Sequence, residues 1–444
     1  MATGGAMMGA SLTEPLVESA IVDGPHTIDD YVAMSLAQNP RIQAAEQRVQ
    51  ALRCRIPQAR SLPDPQVSTN TYLAPVQTAA GEQRFALGVS QKVVRADRRN
   101  TRAAIAAEEM RAAQAEWRDV QLQIAAEVRK ACYQLEFVRQ SISITREDLD
   151  SLAQIAQVIE RQYRVVRNVS QQDVLNVQIE QSMVENDLSD LTQKERSLQA
   201  RLARLLSVDP SSQLLVNIEH LANQPPTDVE GLLFQARQQR PDLQAQWSRV
   251  RRDQRKIGLA QLERFPDVTV GLNWINTSSS GISPVANGDD AVLLGIGFNL
   301  PVYRERIRAA MGEARASSAA SCSELQSLRN EADEEILDLV ARNDSAREML
   351  ELVEQDIIPK ASRTLDLSIE AYQNGEVEYV QLIENWRTLL RYRLSGLRLQ
   401  SELDQLSADL HRATGNLAVS PAAETFDDDA TAPDASSQAD YYEQ

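Results

Sequence analysis

RPDLQAQWSRVRRDQRKIGLAQLERFPDVTV, residues 240–270, restates an earlier stretch of the same chain, NPRIQAAEQRVQALRCRIPQARSLPDPQVST, residues 39–69. At an offset of 201, Pro40 falls on Pro241, Gln43 on Gln244, Arg48 on Arg249, Ile56 on Ile257, Pro65 on Pro266 and Val67 on Val268. Nine of the 28 positions from Pro40 to Val67 are identical. The register persists downstream: Leu87-Gly88-Val89 falls on Leu294-Gly295-Ile296 at an offset of 207, and Val169–Leu175 on Val377–Ile383 at 208. A nearly constant offset with one small insertion is the mark of an internal duplication. The expected organisation is a flexible segment 1–26, a first repeat 27–215, a linker 216–230, a second repeat 231–415 and a disordered acidic tail 416–444.

Composition narrows the fold class. Aromatic residues make up only 5% of the 444, while Ala, Gln, Arg, Glu and Leu crowd the central segments, as in long helices packed side by side. A net charge of −17 argues against a general nucleic-acid binder. Beyond Arg412 come seven acids and no base, Glu424, Asp427, Asp428, Asp429, Asp434, Asp440 and Glu443, hence the expected tail. Cys54, Cys132 and Cys322 stand alone in helical text and read as small apolar fillers. The amino-terminal stretch carries no basic-then-apolar leader pattern. The longest apolar run, AVLLGIGF at 291–298, is far short of the roughly 18 residues of a membrane helix, so any membrane crossing must use strands.

Each copy reads as helix, strand, strand, very long helix, turn, long helix. Thr27-Ile28-Asp29-Asp30 opens a capped helix expected to run to Arg60, and strands follow at about 65–74 and 84–93. No Pro or Gly intervenes from Arg99 to Tyr163, which allows a rod on the order of 100 Å. Within it Leu135, Val138, Ile142, Thr145, Leu149, Leu152, Ala156, Ile159 and Tyr163 step by three and four, and Val174, Val177, Gln181, Val184, Leu188, Leu191, Glu195, Leu198, Leu202 and Leu205 do so after the turn. Two such seams joined by a few residues make an antiparallel coiled-coil hairpin. The second copy repeats the pattern, with Pro359 expected to kink or open its rod. In the strands, Val268, Val270, Leu272 and Trp274 alternate with Thr269, Gly271 and Asn273, and Val292, Leu294, Ile296 and Phe298 with Gly295 and Gly297. That alternation suits a barrel strand facing lipid as well as a half-buried strand of a soluble sandwich. Four strands cannot close a barrel, which takes about eight or more, so a barrel reading requires an oligomer.

Catalytic chemistry finds no purchase. His26, His220 and His411 lie far from one another and from any Cys, and no HExxH, CxxC, GxGxxG, GxxxxGK[ST] or GxSxG pattern occurs, so no enzyme activity, cofactor or metal is expected. The sequons Asn168-Val169-Ser170 and Asn276-Thr277-Ser278 read as chance. Carboxylates gather after the helical turns: Asp173 after the first, Glu376, Glu378 and Glu384 after the second. They suit the positive end of any helix, and equally a ring of carboxylates narrowing a pore mouth.

Taken in order and in duplicate, NP…PDPQV and RPDL…FPDVTVGL, then LGIGFNLPVYRERIRAAMGEARA, then AYQNGEVEYVQLIENW, resemble the TolC-like outer-membrane efflux family over about residues 27–415. The resemblance implies a mainly α fold with a small β part, in which three protomers each give four strands to a twelve-stranded barrel continued by an α-helical tunnel across the periplasm. It implies a passive export duct that docks on a periplasmic adaptor and an inner-membrane pump and opens by untwisting its helical tips. The family's tip pattern is approximately Y-x-x-G-x-x-(S/T)-x-x-D-V-L. Tyr372, Gly375 and Glu378 keep that spacing, whereas Gln381 replaces Asp and Glu384 takes a later acidic position. In the first copy Ser170, Asp173, Val174 and Leu175 match, and Arg167 replaces Gly with Asn168 beside it as a left-handed turn residue. Asp173, Gln381 and Glu384 are thereby candidate constriction residues, and Arg167, Asn168, Val169, Ser170, Gly375, Glu376 and Glu378 candidate tip and adaptor contacts. The alternative is a soluble coiled-coil scaffold, suggested by the polar first hairpin, Gln66, Ser68, Thr69, Asn70 and Thr71.

Overall fold

The structure, a computed structural model, describes residues 25–165, 170–212, 214–217, 228–282, 285 and 287–417. The segment through residue 24, the first hairpin turn at 166–169 with Arg167, Asn168 and Val169, residues 218–227 and the tail beyond 417 lie outside the described residues.

Helix α1, Ile28–Gln38, begins at a capping box: Asp30 N donates to Thr27 Oγ1 at 3.2 Å while Thr27 N donates to the Asp30 carboxylate at 3.0 Å. The single helix expected from Thr27 to Arg60 is in fact two, because α2 runs Pro40–Arg60. A residue before proline is pushed out of the α region, and Asn39 is extended, with ψ 122°. Asn39 Oδ1 caps α2 through Arg41 N at 2.9 Å, and its Nδ2 donates at 2.9 Å to the Leu205 carbonyl, which also accepts from Ser35 Oγ. The break is therefore bonded to the end of the helix that closes at Leu206. The second copy breaks alike at Arg240-Pro241, between α5, Val229–Gln239, and α6, Pro241–Leu262.

The long rods form as the heptad seams require. Helix α3, Ala96–Val165, has 70 residues and spans about 105 Å. Its hairpin partner α4, Gln171–Leu206, returns along it. In the second copy α7, Arg304–Leu352, leads through a π-helical turn, Val353–Ile357, into α8, Ile358–Gln373, and α9, Tyr379–Ala413, returns. The π turn sits one turn ahead of Pro359, which has no N–H for the Gln355 carbonyl and crowds it. Ile358 N accordingly bonds the Val353 carbonyl, five residues back. Gly396 of α9 meets this widened turn, where an added Cβ would stand 3.7 Å from Val353 and Ile358.

The two hairpins lie side by side, α3 against α9, and are stitched along their length. Gln134 bonds Gln405 at 2.8 Å, Lys130 pairs with Asp409, Arg393 meets Asp148 at 3.5 Å, and Gln162 Nε2 donates to the Gln373 carbonyl at 2.7 Å. Leu152, Ile155 and Ile159 of α3 share one core with Val177 and Val184 of α4 and with Leu365, Leu382 and Trp386 of the second hairpin. Of the cysteines expected as fillers, only Cys132 is buried, and burial pushes its thiol up to about 12; Cys54 and Cys322 are exposed.

One four-stranded antiparallel sheet joins the copies, in the order β2, Gln66–Thr78; β3, Gly81–Val93; β5, Val268–Thr277; β6, Ala291–Phe298. The first two strands run longer than expected because pairing continues past a register shift between Thr71 and Val76 to a tight turn, where Gly81 takes φ 136°. Register sorts the side chains into two faces. Thr69, Leu87, Trp274 and Val292 form one cross-sheet row, and Val67, Val89, Leu272 and Leu294 the next. The intervening rows are mostly small or polar, such as Ser90, Gly271 and Gly295, with Ile275 and Leu293 as the large apolar exceptions. Leu294 is 69% exposed and Ile296 65%, so the apolar face of this sheet is bare in the single chain.

A second sheet was not expected from the sequence: β1, Pro25–Thr27, pairs in parallel with β4, Leu215–Asn217, three residues being too few to show periodicity. Strand β1 thus includes Pro25 and His26, ahead of the boundary expected at position 27. At the other end Leu417 packs on the core formed by Tyr31, Leu135 and Leu205, and its carbonyl accepts from Arg129 at 3.1 Å.

The α6–α7 contact contains a titratable clasp. Burial alone would raise Asp253, but hydrogen bonds from Arg252, Lys256 and Ser321 outweigh it and hold its carboxyl well below the ordinary range. A depressed carboxylate stabilises the fold above its unfolded pKa of about 4, and the contribution is lost as pH falls through the lower folded value. Asp253→Asn should therefore flatten the acid limb of the melting temperature against pH below about 4, which a thermal titration of both proteins checks.

Candidate functional site at the hairpin tips

The turn between α8 and α9 is closed by its own sequence. Glu376 N bonds the Ala371 carbonyl at 2.9 Å and Gly375 N the Tyr372 carbonyl at 3.1 Å, a Schellman motif with Gly375 at φ 77°. Among the described residues no atom lies within 4 Å of an added Cβ at Gly375, so Gly375→Ala probes chiefly backbone strain. The expected cost is about 1 kcal/mol, with a smaller loss for Gly375→Asn, read as a shift in denaturation midpoint. Glu376 and Glu378 are exposed beside it, Glu378 standing before α9 without a side-chain cap bond.

On the other hairpin Ser170 caps α4. Gln172 N donates to Ser170 Oγ at 3.1 Å, and Ser170 N donates to the Asp173 carboxylate at 3.2 Å. Asp173 thus serves the start of its own helix. It also faces Tyr372: burial pushes that phenol up to about 12, and the Asp173 charge adds to the rise. Tyr379 is raised to about 12 by burial with help from Glu180.

The two tips are clasped by a pair that sequence reasoning passed over. Arg387 of α9 gives both Nε, at 2.9 Å, and Nη2, at 2.5 Å, to the carboxylate of Glu180 in α4, while its Nη1 reaches Glu384 at 2.8 Å. The Glu180 side chain is 9% exposed, so this is a fork bond from a half-exposed cation to a buried anion. These bonds raise the Arg387 pKa further, keeping the group charged at every working pH. Glu384 is exposed and shares the single Arg387 charge with Glu180, which leaves the cluster net negative, and Gln381 is exposed with its amide donated to Asn385 at 3.1 Å. The three constriction candidates therefore share one end of the molecule and answer to different partners. Arg387 is the first base after the turn, behind Glu376, Glu378 and Glu384, which was the available signal. Glu180 gave none, lying one residue off the seam position Gln181.

A second ionic joint sits where sheet meets helices. Asp267, 6% exposed, receives Arg98 at 3.0 Å and Lys92 at 3.1 Å. No helix among the described residues is long and apolar enough to cross a membrane, and none of their His, Cys, Asp and Glu form a group able to hold a metal.

Two long hairpins hung from a sheet with a bare apolar face is an arrangement that known proteins share. The family described as outer membrane efflux protein matches residues 32–208 and 232–416, one match for each copy. The chain belongs to that family. As a member it is the outer-membrane channel component of a tripartite efflux system and not an enzyme. A curated relative, the cobalt-zinc-cadmium resistance protein CzcC of Cupriavidus metallidurans, is 22% identical over 395 residues, covering 88% of this chain and 90% of its own. Among solved structures, CusC aligns at TM-score 0.74 and 16% identity over 88% of this chain and 92% of its own. The outer-membrane channel OprN aligns at 0.73 and 19%, covering 88% and 90%. VceC of Vibrio cholerae aligns at 0.72 and 20%, covering 88% and 96%.

Proposed function

We propose that three copies of this chain close their four-stranded sheets into one twelve-stranded barrel in the outer membrane, and that the paired hairpins continue it as a tunnel through the periplasm. The observation that carries the reading is the bare apolar face of the sheet, whose end strands β2 and β6 have no partner on their outer sides among the described residues. A single four-stranded sheet with that face in water is an aggregation hazard, and only closure removes the strand edges. Two copies would give eight strands and an interior filled by side chains; three leave an open lumen lined by the small and polar rows. The same exposure counts against the soluble scaffold.

The repeats 27–215 and 231–415 are then two quasi-equivalent halves around the tunnel wall. At its far end Asp173, Gln381 and Glu384 form the constriction. Arg167, Asn168, Val169, Ser170, Gly375, Glu376 and Glu378 meet the periplasmic adaptor, through which the inner-membrane pump delivers cargo. In planar bilayers the purified chain should conduct in discrete steps, and Asp173→Ala and Glu384→Ala should each lower cation over anion selectivity. Steps whose selectivity neither substitution alters would remove these residues from the constriction.

A further inference from the structure

The outward rows of the sheet, from Val268 and Phe298 to Trp274 and Val292, span six residue steps, about 20 Å along the strand and less in height once the strand tilts. A lipid-facing band is about 25 Å tall. The shortfall is made up at the helical end, where Leu300 and Val302 are both 66% exposed and Tyr303 76% exposed, past the last strand residue of β6.

At that level the surface turns cationic. By strand alternation Arg95 follows Val93 to the outside, and its guanidinium lies 4.2 Å from the centre of the Phe265 ring, with that of Arg264 at 4.9 Å. Arg306 of α7 reaches Glu263 at 3.1 Å, which brings the start of α7 beside this stack. Over residues 91–102, 262–268 and 299–308 nine Lys or Arg stand against four Asp or Glu, in a chain of net charge −17. At the other end of the sheet, residues 76–86 and 276–292, one Arg faces three acids. Lys92 and Arg98 are spent on Asp267, Arg95 on Asp97 and Arg306 on Glu263, whereas Arg264 and Arg304 are exposed and form no ion pair among the described residues.

We propose that this collar, Arg264 and Arg304 with Phe265 and Tyr303, binds the head groups of anionic phospholipids in the leaflet nearest the helices. The proposal rests on the barrel reading above. Aromatic rings with a wet edge favour the level of the head groups, and a guanidinium held on a ring face presents its fork to phosphate. The collar fixes the height at which the sheet sits and the direction in which it faces.

The test reconstitutes the full chain in vesicles of brominated phosphatidylglycerol or brominated phosphatidylcholine and follows tryptophan quenching. Trp274, at the far end of the apolar band, reports lipid contact in general. Phe298→Trp in a Trp274→Phe background reports the collar. The expected result is stronger quenching at position 298 by the anionic lipid. That preference should fall about five-fold for Arg264→Gln or Arg304→Gln and on the order of twenty-five-fold for both together, and survive Arg→Lys at the same sites. Equal quenching by both lipids at position 298, with Trp274 still quenched, overturns the collar and leaves the barrel standing. Absence of quenching at Trp274 overturns the barrel itself. Loss of the preference on adding inorganic phosphate, at ionic strength held constant, assigns the arginines to free phosphate and overturns the lipid proposal.

Discussion

Arg387→Ala is expected to loosen the tips and raise the open probability of the channel. The substitution leaves the Glu180 carboxylate buried beside Tyr379 without the cation that meets it. Removing one partner of a fully buried pair costs about 3–5 kcal/mol. Because the Arg387 side chain is 42% exposed and partly screened, the expected loss here is nearer 2 kcal/mol. A double-mutant cycle separates charge from packing. Glu180→Gln with Arg387→Met removes both charges and should recover most of the stability while keeping the raised open probability. If Arg387→Ala lowers the melting temperature but leaves single-channel gating unchanged, the clasp is structural and the tips are held by something else.

Leu294→Arg should have the larger effect, because on the proposed lipid face the new cation has neither water nor a counter-charge to meet. Leu294 lies in the middle of the outward rows, between Val292 and Ile296. A cation at the middle of a barrel's lipid face costs about 2–4 kcal/mol per site, so the three sites of the proposed trimer should nearly abolish recovery from the membrane fraction. Leu293→Gln is the matched control. It sits one residue along β6, in the row of Asn273 and Gly88, and its side chain faces the polar side. That change should leave insertion intact and alter conductance only. Equal tolerance of both substitutions would mean that the sheet's exposed apolar face does not meet lipid.

Much of this architecture can be read from the sequence, because the strongest signals are periodic and repeated. The offset between Pro40 and Pro241 marks equivalent helix starts, and the seam from Leu135 to Ile159 is the buried stripe of α3. The alternation in 292–298 likewise places Leu294 and Ile296 on the outer face. What the sequence hides is set by single contacts. The break at Asn39 depends on a cap and a bond to a carbonyl 166 residues away, which no local pattern announces beyond the proline itself. The π turn at Val353–Ile357 was legible only as a disturbance near Pro359. At the tips, composition pointed to the carboxylates, but which of them is tied up depended on Ser170 and Arg387. Asp173, a proposed constriction residue by the family's tip pattern, acts locally as a capping-box partner, and the two roles do not conflict. The Glu180–Arg387 pair joins positions 207 apart, close to the repeat offset, so it links near-equivalent levels of the two copies.

The most direct measurement is the mass of the intact assembly extracted from membranes in mild detergent, taken by native mass spectrometry on the full chain behind a working export signal. The account predicts three copies, recovered from the outer-membrane fraction and dissociating to single chains only under denaturing conditions. A monomer or dimer recovered from the soluble fraction would contradict it, since the bare sheet would then have neither the strands to close it nor the lipid to cover it.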